Sequence, residues 1–187
     1  MNNSQTSEHG NHSMSFQQKL QSWFPGLLAR VTFASVLYLY FYNSAKTKVG
    51  EGLSGFTQIQ DGAFFQIIPT VVERFNYDAS QVPLFPYQLI VYAGTYAEFI
   101  LPVLIIIGLF TRLAALGMIV FVAVQSYVDI TAHAVDKATI GSFFDRIPDA
   151  AIADQRFLWV FLFIYLVIYG AGKLSIDQLL FGRRSNR

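Results

Sequence analysis

Four stretches of the chain are apolar almost without interruption: roughly Gly26–Ala45, Pro86–Leu109, Leu113–Thr131 and Gln155–Gly172. A hydrocarbon layer about 30 Å thick is crossed by about 20 apolar residues of helix, and each stretch approaches or meets that length. Only Phe110-Thr111-Arg112 separate the second from the third, so these two are predicted to form a tight antiparallel hairpin. The long connection after the first stretch has a different rhythm. Phe64, Ile67, Ile68, Val71, Val72 and Phe75 fall on one side of a helix, with Pro69 as an expected kink. Such a stripe would lie on the membrane, cover the mouth of the bundle, or pack on the domain. The loop Asp136–Asp154, with two aromatics, reads as a second and shorter cap. The predicted fold is an all-α integral membrane four-helix bundle with amphipathic outer-loop helices, occupying residues 23–182.

The flanks are polar. Met1–Ser22 is rich in Asn, Ser and Gln and is expected to be a disordered tail without the apolar core of a cleavable signal peptide. Trp23-Phe24-Pro25-Gly26 then resembles an interfacial anchor, and residues 183–187 form a short basic tail. Composition agrees with the membrane reading, since 53% of the chain is hydrophobic and only 13% charged, against about a quarter charged in soluble domains. Aromatic belts gather at membrane–water interfaces, and the chain has 18 Phe and 10 Tyr to supply them.

Orientation follows from the positive charges beside the spans. Lys19, Arg30, Arg112, Lys173, Arg183, Arg184 and Arg187 flank one side in short segments, whereas Lys46, Lys48, Arg74, Lys137, Arg146 and Arg156 spread over long loops on the other. Both termini are therefore predicted to be cytoplasmic. A net charge of +1 without a basic, aromatic-interleaved face argues against nucleic acid as a partner. The absence of cysteine removes disulfides, iron–sulfur ligation, thiolate zinc sites and cysteine nucleophiles. Of three histidines, only His133 lies near the spans, so one subunit cannot hold a bis-histidine haem in the membrane.

The candidate chemistry begins at Glu98, which lies roughly 17 Å from either end of the second span at 1.5 Å of rise per residue. A carboxylate at that depth costs several kcal/mol unless paired, hydrated or protonated, and marks either a functional site or a polar tie between helices. Gly94, Thr95, Leu101 and Pro102 share its face, and small residues there suit close helix contact, so Glu98 is expected to point inward. The third span carries Gln125, Asp129 and His133 at successive i, i+4 steps, and the first carries Ser35, Tyr38, Tyr42 and Lys46. Together these stripes predict a polar vestibule that opens outward and is floored by Glu98. The depths of Glu98, Asp129 and His133 differ by more than a helical turn, so no shared metal ion is expected. Arg30 is the candidate partner for a buried acid. Arg112 is expected to snorkel, and Arg112, Gly94, Pro102 and Asp177 are assigned to the architecture.

No Walker loop, nucleophile elbow, HExxH or dinucleotide fingerprint is present. Instead AEFILPVLIIIGLFTRLAAL (Ala97–Leu116), NSAK (Asn43–Lys46), YGAGKLSIDQLL (Tyr169–Leu180) and GAFFQIIPTVVERFNYD (Gly62–Asp78) resemble the DoxX family of small four-helix membrane proteins. Asn43 departs from the glycine many members have there. The resemblance implies a bacterial inner-membrane protein. The family name traces to a subunit of a thiosulfate–quinone oxidoreductase, and other members are linked to membrane redox complexes. Fold does not fix function, and a chain without cysteine has little with which to handle sulfur or electrons alone. The resemblance therefore implies a quinone-facing or accessory subunit beside a redox partner protein, with Glu98 as proton donor or acceptor to a bound quinone. Two other expectations remain: a small transporter, completed by homo-oligomerisation, and a non-catalytic scaffold that docks a partner through its outer loops.

Overall fold

The computed structural model describes residues 16–182, and all of its long elements are helices. In lipid every backbone N–H and C=O must be satisfied within the segment, which restricts apolar spans of this kind to helix. α1 (Phe16–Val36) and α2 (Tyr38–Lys46) together make the first span. They are bent by 45° at Leu37, where a single continuous helix was expected. α1 also begins at Phe16 and runs through Pro25, so residues assigned to a disordered tail are helical; the rest of that tail and the basic residues 183–187 lie outside the described residues. The sequence FQQKLQSWF contains good helix formers and no breaker, and its polarity does not oppose helix once the span anchors one end.

Three short helices fill the connection that follows: α3 (Gly52–Gly55), α4 (Asp61–Ile67) and α5 (Pro69–Arg74). The second and third spans are α6 (Leu89–Ile107), entered through a π-helical turn at Leu84–Gln88, and α7 (Thr111–Thr131). After α8 (Lys137–Ile140), a π-helical turn at Ala151–Arg156 leads into α9 (Phe157–Tyr169), the last span, and the chain closes with α10 (Ile176–Phe181).

One core lies between the spans, built from Phe33, Leu37 and Phe41, Ile105, Met118 and Val122, and Phe163 and Leu166. Aromatic rings tie α1 to α9 (Phe33 to Phe163, 5.7 Å between centroids) and α2 to α7 (Phe41 to Phe121, 6.0 Å). A second core explains the amphipathic stripe. Phe64, Ile68 and Val72 are buried with Ala79, Val82 and Val91, so α4 and α5 pack on the N-terminal end of α6 with their apolar face turned in. The predicted kink lies at Ile68, just before Pro69, whose ring disfavours helical backbone in the preceding residue.

The hairpin end is locked by two charged side chains. Gly108 ends α6 with φ +71°, and Arg30 donates to the carbonyls of Ile105 (3.0 Å), Ile106, Ala171 (3.3 Å) and Leu174 (2.6 Å). It thereby adds a donor at the end of α6 to Ile106 O and to Ile105 O, which also accepts from the Gly108 N–H. Asp177 accepts from the N–H groups of Phe110 (2.6 Å) and Thr111 (3.0 Å), capping α7 from a distant segment. Gly26 lets α1 touch the same loop, since a Cβ there would sit 2.6 Å from the Gly172 nitrogen. The middle of α1 around Gly26–Arg30, the α6–α7 turn and the segment after α9 thus share one end of the bundle, and the long loops share the other.

Candidate functional site

Glu98 points inward, as its small neighbours require, and is 1% exposed. Its Oε2 accepts from the Lys48 ammonium at 2.6 Å. Lys48 is itself only 5% exposed, and its Nζ also donates to Ser44 Oγ (2.9 Å) and the Ser44 carbonyl (3.1 Å). An ammonium has three N–H donors, so these contacts use them all. The backbone fixes the lysine: Lys48 N–H donates to Ala45 O, and Lys48 O accepts from Gln60 N–H beside a short antiparallel bridge between Val49 and Ile59.

The stripe Ser35, Tyr38, Tyr42 and Lys46 in the first span places Lys46 among the vestibule residues, and the structure does not. α2 ends at that residue; Lys46 faces outward with Nζ 5.7 Å from the centre of the Tyr42 ring, and the following turn carries Lys48 back over the carboxylate. Tyr42 stacks on Tyr38 (5.7 Å) and meets the edge of Phe99 (6.1 Å). Arg30, the acid partner expected from sequence, is committed to carbonyls at the hairpin end and makes no contact with Glu98.

A second ion pair lies toward the loop end. Arg156 closes the π-helical turn before α9, is 7% exposed, and donates to Asp129 and, at 3.0 Å, to Ser126 Oγ. Sequence reasoning counted Arg156 only as an outer positive charge. The available signal was that Asp129 and Arg156 stand at the loop ends of consecutive spans. Gln125 donates to the Tyr40 hydroxyl at 2.8 Å, and its Oε1 is buried without a partner. His133 Nε2 lies 3.2 Å from the Gln66 carbonyl.

These residues converge on one cavity of about 740 Å³ along the α6–α7 seam. Ser44, Lys48, Glu98, Gln125, Asp129 and His133 all line it, and the remainder is mainly apolar: Ile90, Ala97, Leu101, Leu116, Val120 and Val124 among others. Leu116, Val120 and Val124 are about half exposed, so one wall faces the position of lipid. From Leu113 to His133 the lining spans 20 positions of sequence, about 30 Å at helical rise. Gly117 keeps the seam close, since a Cβ there would lie 2.9 Å from Leu101 Cδ1.

The architectural residues sit around this cavity. Gly94 lies under the loop helix, with its vacant Cβ position 3.3 Å from Ile67 Cδ1. Pro102 is buried and has no N–H, so the Glu98 carbonyl receives no bond from residue 102. Thr95, one turn before Glu98, is fully buried, and its hydroxyl has no partner. Among the described residues no three His, Asp or Glu side chains come together as a metal site.

Residues 26–134 match the DoxX family, more than half of the chain. The chain belongs to the DoxX family. Curated proteins and solved structures give no match. The DoxX match contains both members of the Lys48–Glu98 pair and every residue of the cavity lining, and it ends before α9. Arg156, the partner of Asp129, therefore lies outside the matched segment. As a DoxX protein the chain is a multi-pass membrane protein, with three helices long and apolar enough to cross a bilayer and the bent α1–α2 pair as the fourth span.

Proposed function

We propose that this DoxX protein is a quinone-facing accessory subunit of a redox complex in the bacterial inner membrane, and that Glu98 and Lys48 serve the quinone head group. The observation that carries this reading is a largely apolar cavity, walled partly toward lipid, that contains a buried carboxylate–ammonium pair. Sites for small hydrophobic ligands are typically apolar with a few placed polar groups. The orphaned acceptor at Gln125 Oε1 adds a hydrogen-bond position that a hydroxyl would satisfy.

A bound quinone would accept two electrons and two protons. The chain's residues would handle only the protons. In such a site Lys48 would donate a hydrogen bond to a carbonyl oxygen, and Glu98, a carboxylate in its pair with Lys48, would first take up a proton from water entering the cavity and then supply it to that oxygen as negative charge develops. With no cysteine for cluster ligation, electrons come from a partner protein of the complex. Cytoplasmic termini are part of the same proposal, supported by Arg30, Arg112 and Lys173 at the hairpin end.

The test is purification in mild detergent followed by quinone quantification in the lipid extract, for the native chain and Glu98→Gln. A stoichiometric quinone that is lost in the variant supports the reading. Quinone-free protein in both, or equal quinone in both, overturns it. For the scaffold alternative the Phe64–Phe75 stripe offers less surface to a partner, because Phe64, Ile68 and Val72 are buried and Ile67, Val71 and Phe75 partly so.

A further inference from the structure

A second cavity, of about 620 Å³, lies at the opposite end of the bundle and plays no part in the quinone reading. It is formed where the first turn of α7, the end of α9 and the loop 170–173 meet. Arg112 and Lys173 stand on its wall, both exposed, and neither has an acidic partner within ion-pair distance among the described residues. Asp177 also lines it, but both of its oxygens accept from the Phe110 and Thr111 N–H groups. Gly170, with φ +73°, holds the arginine close: a Cβ there would be 3.3 Å from Arg112 Nε. Thr111 supplies an independent sign of a missing ligand. It lines the same cavity, is fully buried, and its hydroxyl has no partner.

We propose that this cavity binds the phosphate of an anionic phospholipid, held by Arg112, Lys173 and the Thr111 hydroxyl. The depth is that of a head group, because α7 begins and α9 ends here, where spanning helices leave the hydrocarbon. The flanks are built for acyl chains: Leu113 is 68% exposed on α7 and Tyr169 63% exposed on α9, both on the cavity rim. Basic pockets between spans recognise anionic head groups through such charges, and a guanidinium matches phosphate with paired donors. A free phosphate would use the same donors but would leave the apolar rim uncovered.

The experiment uses the full chain, purified from detergent supplemented with equal phosphatidylglycerol and phosphatidylcholine, with retained lipid counted by native mass spectrometry. Phosphatidylglycerol should be retained in preference, and Arg112→Gln/Lys173→Gln should lower its retention by about tenfold or more. Arg112→Lys should keep the preference, as should Lys137→Gln at the other end of the bundle. Equal retention of the two lipids, or an unchanged double variant, overturns the proposal. So does a thermal stabilisation by inorganic phosphate that equals that by phosphatidylglycerol, since the site would then be one for a free anion. A loss in Lys137→Gln as large as in the double variant would reduce the effect to overall charge and also overturn it.

Discussion

Removing one member of the Lys48–Glu98 pair should destabilise the bundle far more than removing both. In Glu98→Gln, the Lys48 ammonium keeps only Ser44 as a partner, in a position 5% exposed to solvent. Breaking a buried pair in this way costs about 3–5 kcal/mol, because a charge remains buried without its counter-charge. Replacing both residues with apolar or neutral side chains of similar volume is often neutral or stabilising. Lys48→Met/Glu98→Gln should therefore recover most of the loss. For a chain of this size about 1 kcal/mol moves the melting temperature by 2–4 °C, so the single variant should melt about 6–20 °C lower. Lys46→Met is the internal control: its ammonium is exposed over a tyrosine ring, an arrangement worth about 0.5–1 kcal/mol. The assay is thermal unfolding in one detergent across the four variants. Additive losses from the two single changes, or a larger loss from Lys46→Met than from Lys48→Met, would refute the pairing.

Arg30→Met should cost at least about 3 kcal/mol in the same melt, because four backbone carbonyls lose the Arg30 donor together, and among them Ile105 O keeps another, the Gly108 N–H. Arg30→Lys should recover only part of it, since a point ammonium cannot reach the two segments that the planar fork spans; equal stability of the lysine variant would contradict that geometry. Topology can be read directly in a chain without native cysteine: Ser80→Cys should react with an impermeant maleimide added outside intact cells, and protection there would reverse the proposed orientation. In the loop after α7, hydrogen bonds from Thr139 hold the Asp136 carboxyl below the usual carboxylate range. A depressed folded value gives stability that is present above the unfolded value of about 3.9 and lost as pH falls through the folded one. Amide exchange in α8 should accordingly accelerate below about pH 4, and a pH-independent rate, after correction for intrinsic exchange, would remove that role.

The hydrophobic pattern alone determined the class of fold and where the spans lie, because a bilayer imposes a length and a polarity that few other sequences meet. It also determined that Glu98 faces inward and that Gln125 and Asp129 share one face of α7, since helical periodicity fixes relative direction within a rigid segment; His133 lies past the end of α7 at Thr131 and reaches the cavity through the turn that follows. That logic stops where a helix stops. That Lys48 meets Glu98 while the stripe residue Lys46 faces outward was decided by the end of α2 and the turn after it, and no period extends across a turn. The bend at Leu37, the use of Arg30 on four carbonyls, and the pairing of Asp129 with Arg156 depend on which helices are neighbours and at what offset. Those are set by packing between segments far apart in the chain. The sequence supplied the charges and the faces; only the tertiary structure decided which charge meets which, because an ion pair is a matter of a few ångströms and a span's position read from hydropathy is uncertain by more than that.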